Sequence, residues 1–476
     1  MQRRLLLCVP LVSLAACDPP PTSMDPDAAV VDHDAPGSMG DPDAPGSMGD
    51  PDAFVPSSGC PALDADDPTQ IAVGRNSGGD TVIDEDTTWD AAHTYFVLGS
   101  LDVQGVTLTL EAGTHVCLDA AGGSPPTIDL REGSSGSQSR LVVSGTASSP
   151  VVFEPAVEGS EWNSITLSSA STASLSHLTL IGGGAGGAGA LRVDANYAEL
   201  LDAHDVHLVG TAGMMLSLRN AGLAEDASIY LDAQDPSVPD AAMDATTIGV
   251  STLNADTIHF GASLPAAARV VRMANGDITT DTTIPGDLGV AFLFRDDVLV
   301  QRESSTSPIP TLTIEAGAEL RFDGTSLVVG STSGMDDAGN LVAIGTAEAP
   351  IRFGSASEAP AAGDWVGLFL VAGSFEPEVT ALAHIVVADA GRDLGGSSAV
   401  LHCASLPTPV LGAIRLRGNG FEDYEGPAMT DVTIERSAGD GVSFACSASS
   451  CLLTDYTSEL TGTDIAGELV RERDCP

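Results

Sequence analysis

Apolar and polar residues alternate along this chain in very short bursts. LTL at 108–110, VCL at 116–118, LVV at 141–143, VVF at 151–153, ITL at 165–167 and LTL at 178–180 each place apolar side chains on every second position. Gly, Ser, Asn or Pro separates one burst from the next. A period of two is that of a strand with one face buried, and the punctuation is that of turns. Beyond the first seventeen residues no long stretch carries a 3.6-residue apolar period, so helices are not expected. Equivalent strands return after about 20–26 residues, the length of one structural repeat.

A longer repeat overlies this one. LTLEAG at 108–113 returns as LTIEAG at 312–317, and LVVSGTASSPVVF at 141–153 as LVAIGTAEAPIRF at 341–353. LSHLTL at 175–180 returns as LAHIVV at 382–387, and HDVHLVGTAGMMLSL at 204–218 as TDVTIERSAGDGVSF at 430–444. Trp162 and Trp365 occupy the same place in the pattern. The order is kept throughout, so the chain is a tandem duplication of roughly 200 residues. The expected division is a first module over 60–265 and a second over 266–476, joined through the weakly patterned stretch 219–270.

Many short strands fit either a two-sheet sandwich or a solenoid. A sandwich asks for longer strands and tighter hairpins. A solenoid lays each short strand on its predecessor, so that aliphatic side chains stack in columns inside a narrow cross-section. Aromatic residues make up only 4% of the chain, which suits the narrow core of the solenoid. LTIEAGAELRF at 312–322, LVAIGTAEAPIRF at 341–353 and the following Asp364-Trp365-Val366-Gly367-Leu368 resemble the right-handed parallel β-helix repeats of pectin-lyase-like bacterial surface proteins. The resemblance covers about 71–445. It implies an all-β fold, a right-handed parallel β-helix in two tandem modules, and it carries no activity with it. At about 4.8 Å per coil such a stack would be of order 80 Å long.

The formal net charge is −47. All 19 basic residues are arginines, and there is no lysine. Such a chain repels phosphate backbones, which argues against nucleic acid as a partner, and it repels anionic headgroups, so attachment to a membrane needs another physical basis. The first seventeen residues, MQRRLLLCVPLVSLAAC, supply one. Arg3 and Arg4 precede an apolar run from Leu5 to Leu14 that is too short to span a bilayer. Leu14-Ala15-Ala16-Cys17 is similar to the lipobox of bacterial lipoproteins. The resemblance implies a signal peptide over 1–17, cleavage before Cys17 and lipidation of its sulfur, with two or more acyl chains giving stable anchoring. Export to the cell envelope follows, at the outer membrane or the cell surface.

Residues 18–59 are rich in Asp, Pro, Gly, Ser and Ala and contain a nine-residue duplication, DAPGSMGDP at 34–42 and 43–51. With almost nothing apolar to bury, they are expected to form a disordered linker. Asp-x-Asp pairs such as Asp41/Asp43 and Asp50/Asp52 lack the converging loop of a calcium site, so the spacer reading is preferred.

Cys8 leaves with the signal, and six cysteines remain beside Cys17. An even number in an exported chain predicts disulfides. Cys446 and Cys451 are close enough for a small loop, Cys60 with Cys117 would pin the first coil, and Cys403 with Cys475 the last. The absence of a C-x-x-C pair argues against zinc. His204 and His207 are expected on opposite faces of a strand, and His177 and His384 at a ladder or turn. Trp162 and Trp365 are read as packing residues at a coil corner, Asp296/Asp297 and Asp336/Asp337 as turn residues, and Gly182–Gly189, with no following Lys-Ser or Lys-Thr, as a turn and no P-loop. No cofactor, metal ligand set or catalytic constellation emerges. The expected function is a non-catalytic envelope protein whose β-helix serves surface structure, adhesion or the binding of a polysaccharide or surface protein. The alternatives are a pectin-lyase-like polysaccharide lyase or hydrolase and a calcium-dependent adhesin.

Overall fold

The computed structural model describes residues 59–74, 81–120, 124–168, 171–210, 213–232, 241–266, 268–274, 277–330, 338–371, 375–393, 412–417, 423–447 and 452–475. Cys17, the linker to residue 58, Cys403, Cys451 and the Asp336/Asp337 pair lie outside them. The described residues are all-β apart from single turns of helix, and every pairing between their named strands is parallel. The fold is a parallel β-helix.

Alternation in the sequence becomes alternation in burial. Thr107–Glu111 and Thr127–Arg131 bury every second side chain, as does Thr311–Ile314 in the second copy. Successive coils stack these positions in register. Leu108 lies on Leu141, Leu110 on Val143, and Val143 in turn beside Leu175 on the following coil. Another column runs Val116, Phe153, Leu180, Leu208, Leu231. All of these are buried in one continuous apolar core. At about 1.5–3 kcal/mol for each fully buried aliphatic side chain, such columns are the main source of stability.

The two copies share one ladder. Leu101–Gln104 pairs with Thr127–Arg131, then Ser164–Ser168, Leu191–Val209, Leu216–Leu223, Met243–Ala245 and Val270–Met273. From Val270–Met273 it continues through Ala291–Phe294, Glu319–Phe322, Ile351–Ser355, Ala381–Ala388 and Ala428–Ser437 to Leu460–Ile465. Val270–Met273 pairs with Met243–Ala245 on one side and Ala291–Phe294 on the other, so the ladder runs unbroken past residue 266. Within the weakly patterned stretch 219–270, the described strands Ile229–Asp232, Met243–Ala245 and Ile258–Phe260 stack on their neighbours in the same parallel manner.

Coil corners use left-handed backbone. His177 (φ 47°) and Asp205 (φ 54°) form one corner column, and His384 (φ 49°) and Asp431 (φ 51°) the same column in the second copy. The His177 ring bonds to Asp205, and His384 Nδ1 lies 3.3 Å from Asp431. Asp389, Arg436 and Asp464 form another left-handed column, closed by a bidentate pair from Arg436 to Asp389 at 2.6 and 3.1 Å.

Candidate functional site

The outward side of the continuous ladder carries charge where its inward side carries aliphatics. Leu191, Val193, Leu216, Leu218, Met243, Ala245, Val271 and Met273 point into the core. Strand alternation then directs Arg192, Ser217, Asp244 and Arg272 outward on four consecutive coils, each in register with the next. Asp194 and Arg219 stand beside them as a second column.

The charges are interlocked. Asp244 is 1% exposed, and its Oδ2 accepts from Arg219 at 3.2 Å and from Arg272 at 3.1 Å. Asp244 Oδ1 has no hydrogen-bond partner among the described residues. Arg192 donates to Asp194 at 2.6 Å. Earlier on the same face Asp102 and Asp129 stack directly, and Arg131 bridges both at 3.3 and 2.7 Å. The aspartates Asp102 and Asp244 are withdrawn from water, whereas the arginine side chains stay 28–49% exposed. Each guanidinium is thus held by a carboxylate beside it, although the Nε groups of Arg192 and Arg219 are buried without a partner among the described residues. Planar groups held this way form paired hydrogen bonds to vicinal hydroxyls or carboxylates with little loss of rotamer entropy on binding.

The second copy repeats part of the arrangement. Gly189-Ala190-Leu191-Arg192-Val193 recurs as Gly412-Ala413-Ile414-Arg415-Leu416, and Ser217 as Ser443. Arg415 and Ser443 again pair across neighbouring strands, with Arg471 on the next. In both copies the glycine leaves room for the serine below it: a Cβ on Gly189 would stand 3.0 Å from Ser217 Cβ, and one on Gly412 2.6 Å from Ser443 Oγ. The second arginine is used differently. Arg415 is buried, lies 4.6 Å over the Phe369 ring and donates to the carbonyls of Gly412, Val366 and Arg392. Burial pulls its pKa down to about 10, against the pull of Asp393. Arg471 on the next strand stays 30% exposed and pairs with the buried Asp440 at 3.1 Å, so of these two arginines only Arg415 is withdrawn.

The other residues singled out in the sequence fall as follows. Cys60 and Cys117 form a disulfide. Cys446 and Cys475 stand on neighbouring strands, Asp440–Ser447 and Val470–Cys475, but their side chains lie outside the described residues. Trp162 and Trp365 are fully buried and donate to the carbonyls of Ile181 and Ala388. Trp365 also stacks on Phe322 at 4.3 Å. Asp297 holds a turn by accepting from Ser326 N and Oγ at 2.8 and 2.7 Å.

His204 and His207 correct an expectation. They do not sit on opposite faces of one strand. Asp205, left-handed between them, breaks the alternation, so that Ala203 and Val206 turn inward and both histidines turn outward. His204 pairs with Asp202 at 2.8 Å and His207 with Asp205 at 3.1 Å. His207, Tyr230 and His259 stack at 4.6 and 4.5 Å up the outer side of three coils.

The arginine–aspartate lattice itself was missed. Its sequence signal is the GALRV/GAIRL pair, which marks an arginine retained at one register position of both copies. Comparison with family models, with curated proteins and with solved structures gave no match to this chain.

Proposed function

We propose that the chain is a non-catalytic, lipid-anchored cell-envelope protein that binds a polysaccharide along the outer face of its β-helix. The observation that carries this reading is the lattice of partly exposed arginine side chains, Arg131, Arg192, Arg219 and Arg272, fixed by carboxylates. Arg192 and Arg272 stand three coils apart in one column, roughly 14 Å at about 4.8 Å per coil, a span that a run of sugar units lying along the stack would bridge. Arginine is the chain's sole fixed cation outside the amino terminus, and the lattice offers sugars a patch where those cations are matched to carboxylates. The lipobox LAAC at 14–17 supports anchoring through Cys17 and export to the envelope, with the acidic linker as spacer. The repeat motifs support kinship with pectin-lyase-like surface proteins.

A glycan array probed with the full chain tests the reading. Binding to a family of related polysaccharides is expected, reduced at least tenfold by Arg192→Ala combined with Arg272→Ala. Retention of full affinity by that variant would overturn it. Release of unsaturated or reducing sugars from a bound glycan would replace binding by catalysis.

A further inference from the structure

We propose that Cys60, His115, Cys117 and Glu154 form a divalent-metal site, suited to zinc, that opens when the Cys60–Cys117 disulfide is reduced. His115 and Cys117 are two apart on the strand His115–Leu118, so both side chains leave the same face. Glu154 on the next coil lies directly beside Cys117 in register. Cys60 reaches the same point from the segment that precedes the first strand. One ligand atom from each of Cys60, His115 and Cys117 falls within 4.8 Å of the other two.

The distances from His115 suit tetrahedral coordination once the two sulfurs, bonded to each other here, separate on reduction. His115 Nε2 lies 3.9 Å from Cys60 Sγ and 3.9 Å from Cys117 Sγ. Zinc bonds of about 2.3 Å to sulfur and about 2.0 Å to nitrogen place those atoms roughly 3.6 Å apart. Glu154 Oε1 stands 2.5 Å from the same Nε2 and is the fourth donor, needing a shift of under about 1 Å. Cys117 is fully buried and Glu154 nearly so, whereas His115 keeps one edge at the surface through which an ion can enter. Two thiolates, an imidazole and a carboxylate make a donor set that favours zinc over calcium or magnesium.

The steps balance. A dithiol reductant gives two electrons and two protons to the disulfide; its own thiols become a disulfide, and Cys60 and Cys117 become thiols. On metal binding each thiol loses its proton to solvent and both sulfurs bond to the ion. The first coil is then held by a metal bridge in place of a covalent one.

Cobalt(II) is the probe. The full chain is reduced with a dithiol, freed of reductant, and shown by alkylation and mass spectrometry to carry thiols at 60 and 117. Expected are one equivalent of tightly bound cobalt, thiolate-to-cobalt charge-transfer absorption with tetrahedral d–d bands, and displacement by zinc. The oxidised chain should show none of this. His115→Ala, which leaves the disulfide able to form, should weaken binding more than tenfold, and Cys446→Ser with Cys451→Ser should leave the bands intact. No charge-transfer band in the reduced chain, or bands that survive both Cys60→Ser and His115→Ala, would overturn the proposal.

Discussion

Removing the Asp244 carboxylate is the sharpest test of the lattice. In Asp244→Ala, Arg219 and Arg272 lose the oxygen that both contact, at 3.2 and 3.1 Å. Two limits bracket the cost. An exposed ion pair is worth about 0–1 kcal/mol. Breaking a fully buried pair costs about 3–5 kcal/mol, because the surviving charge stays desolvated. Asp244 is 1% exposed, but Arg219 and Arg272 are 41% and 29% exposed and regain water when it leaves. Asp244 Oδ1 also gives up its own desolvation, since no described residue bonds to it. The expected destabilisation is therefore intermediate, about 1–3 kcal/mol. Asp244→Asn keeps an acceptor while dropping the charge and should cost about half as much.

Denaturant unfolding followed by circular dichroism measures both, and a cycle with Arg219→Gln isolates the pair. A coupling of about 0.5–3 kcal/mol is expected for groups in one network. Asp244→Ala as stable as the parent, with zero coupling to Arg219, would show that solvent neutralises these charges. The guanidinium groups would then be free to move, and the argument from fixed donors would fail.

Two further outcomes follow from buried aromatic side chains. Burial raises the Tyr456 phenol well above its usual 10, and its hydroxyl donates to the Pro427 carbonyl at 2.8 Å. The folded chain then holds a proton that the unfolded chain loses near pH 10, so this contribution is whole below pH 10 and declines as pH rises above it; Tyr456→Phe should flatten that decline in unfolding experiments between neutral pH and about pH 11. Trp365→Phe loses the indole hydrogen bond to Ala388 and should cost about 1–3 kcal/mol, and Trp365→Ala about 3–5 kcal/mol by thermal melting. A fully stable Trp365→Ala chain would contradict its place in the core.

The fold was legible because a β-helix writes itself locally. LTLEAG and LTIEAG announce strands by alternation, and those strands sit at matching positions, Leu108 on Leu141 and Leu312 on Leu341. Corners were harder. Nothing in LSHLTL states that His177 adopts φ 47°, since left-handed backbone in a non-glycine residue is imposed by the coils above and below. The same blindness misplaced His204 and His207, where one left-handed aspartate undid the count by twos. The lattice was hidden for a third reason. Arg192, Ser217, Asp244 and Arg272 are 25–28 residues apart, and alternation tells that each points outward without telling which positions meet. Register between coils depends on turn lengths that vary along the chain.

Charge cancellation alone is a rival account of the same residues. Stacked aspartates such as Asp102 and Asp129 repel, by roughly 1–3 kcal/mol at the coil spacing for an effective dielectric between water and a protein surface. Arg131 relieves that repulsion. Cancellation does not require burying Asp244 between two arginines, however, and a buried ionic triad is commonly no more stable than well-packed apolar side chains of similar volume. The two accounts part on Arg219→Met, Asp244→Leu and Arg272→Met combined. If the triad serves stability, this variant unfolds more easily than the parent. If the triad serves binding, it is as stable as the parent, or more so, and holds no polysaccharide. The energetic cost of desolvating Asp244 is then the reason its partners stay fixed and partly exposed.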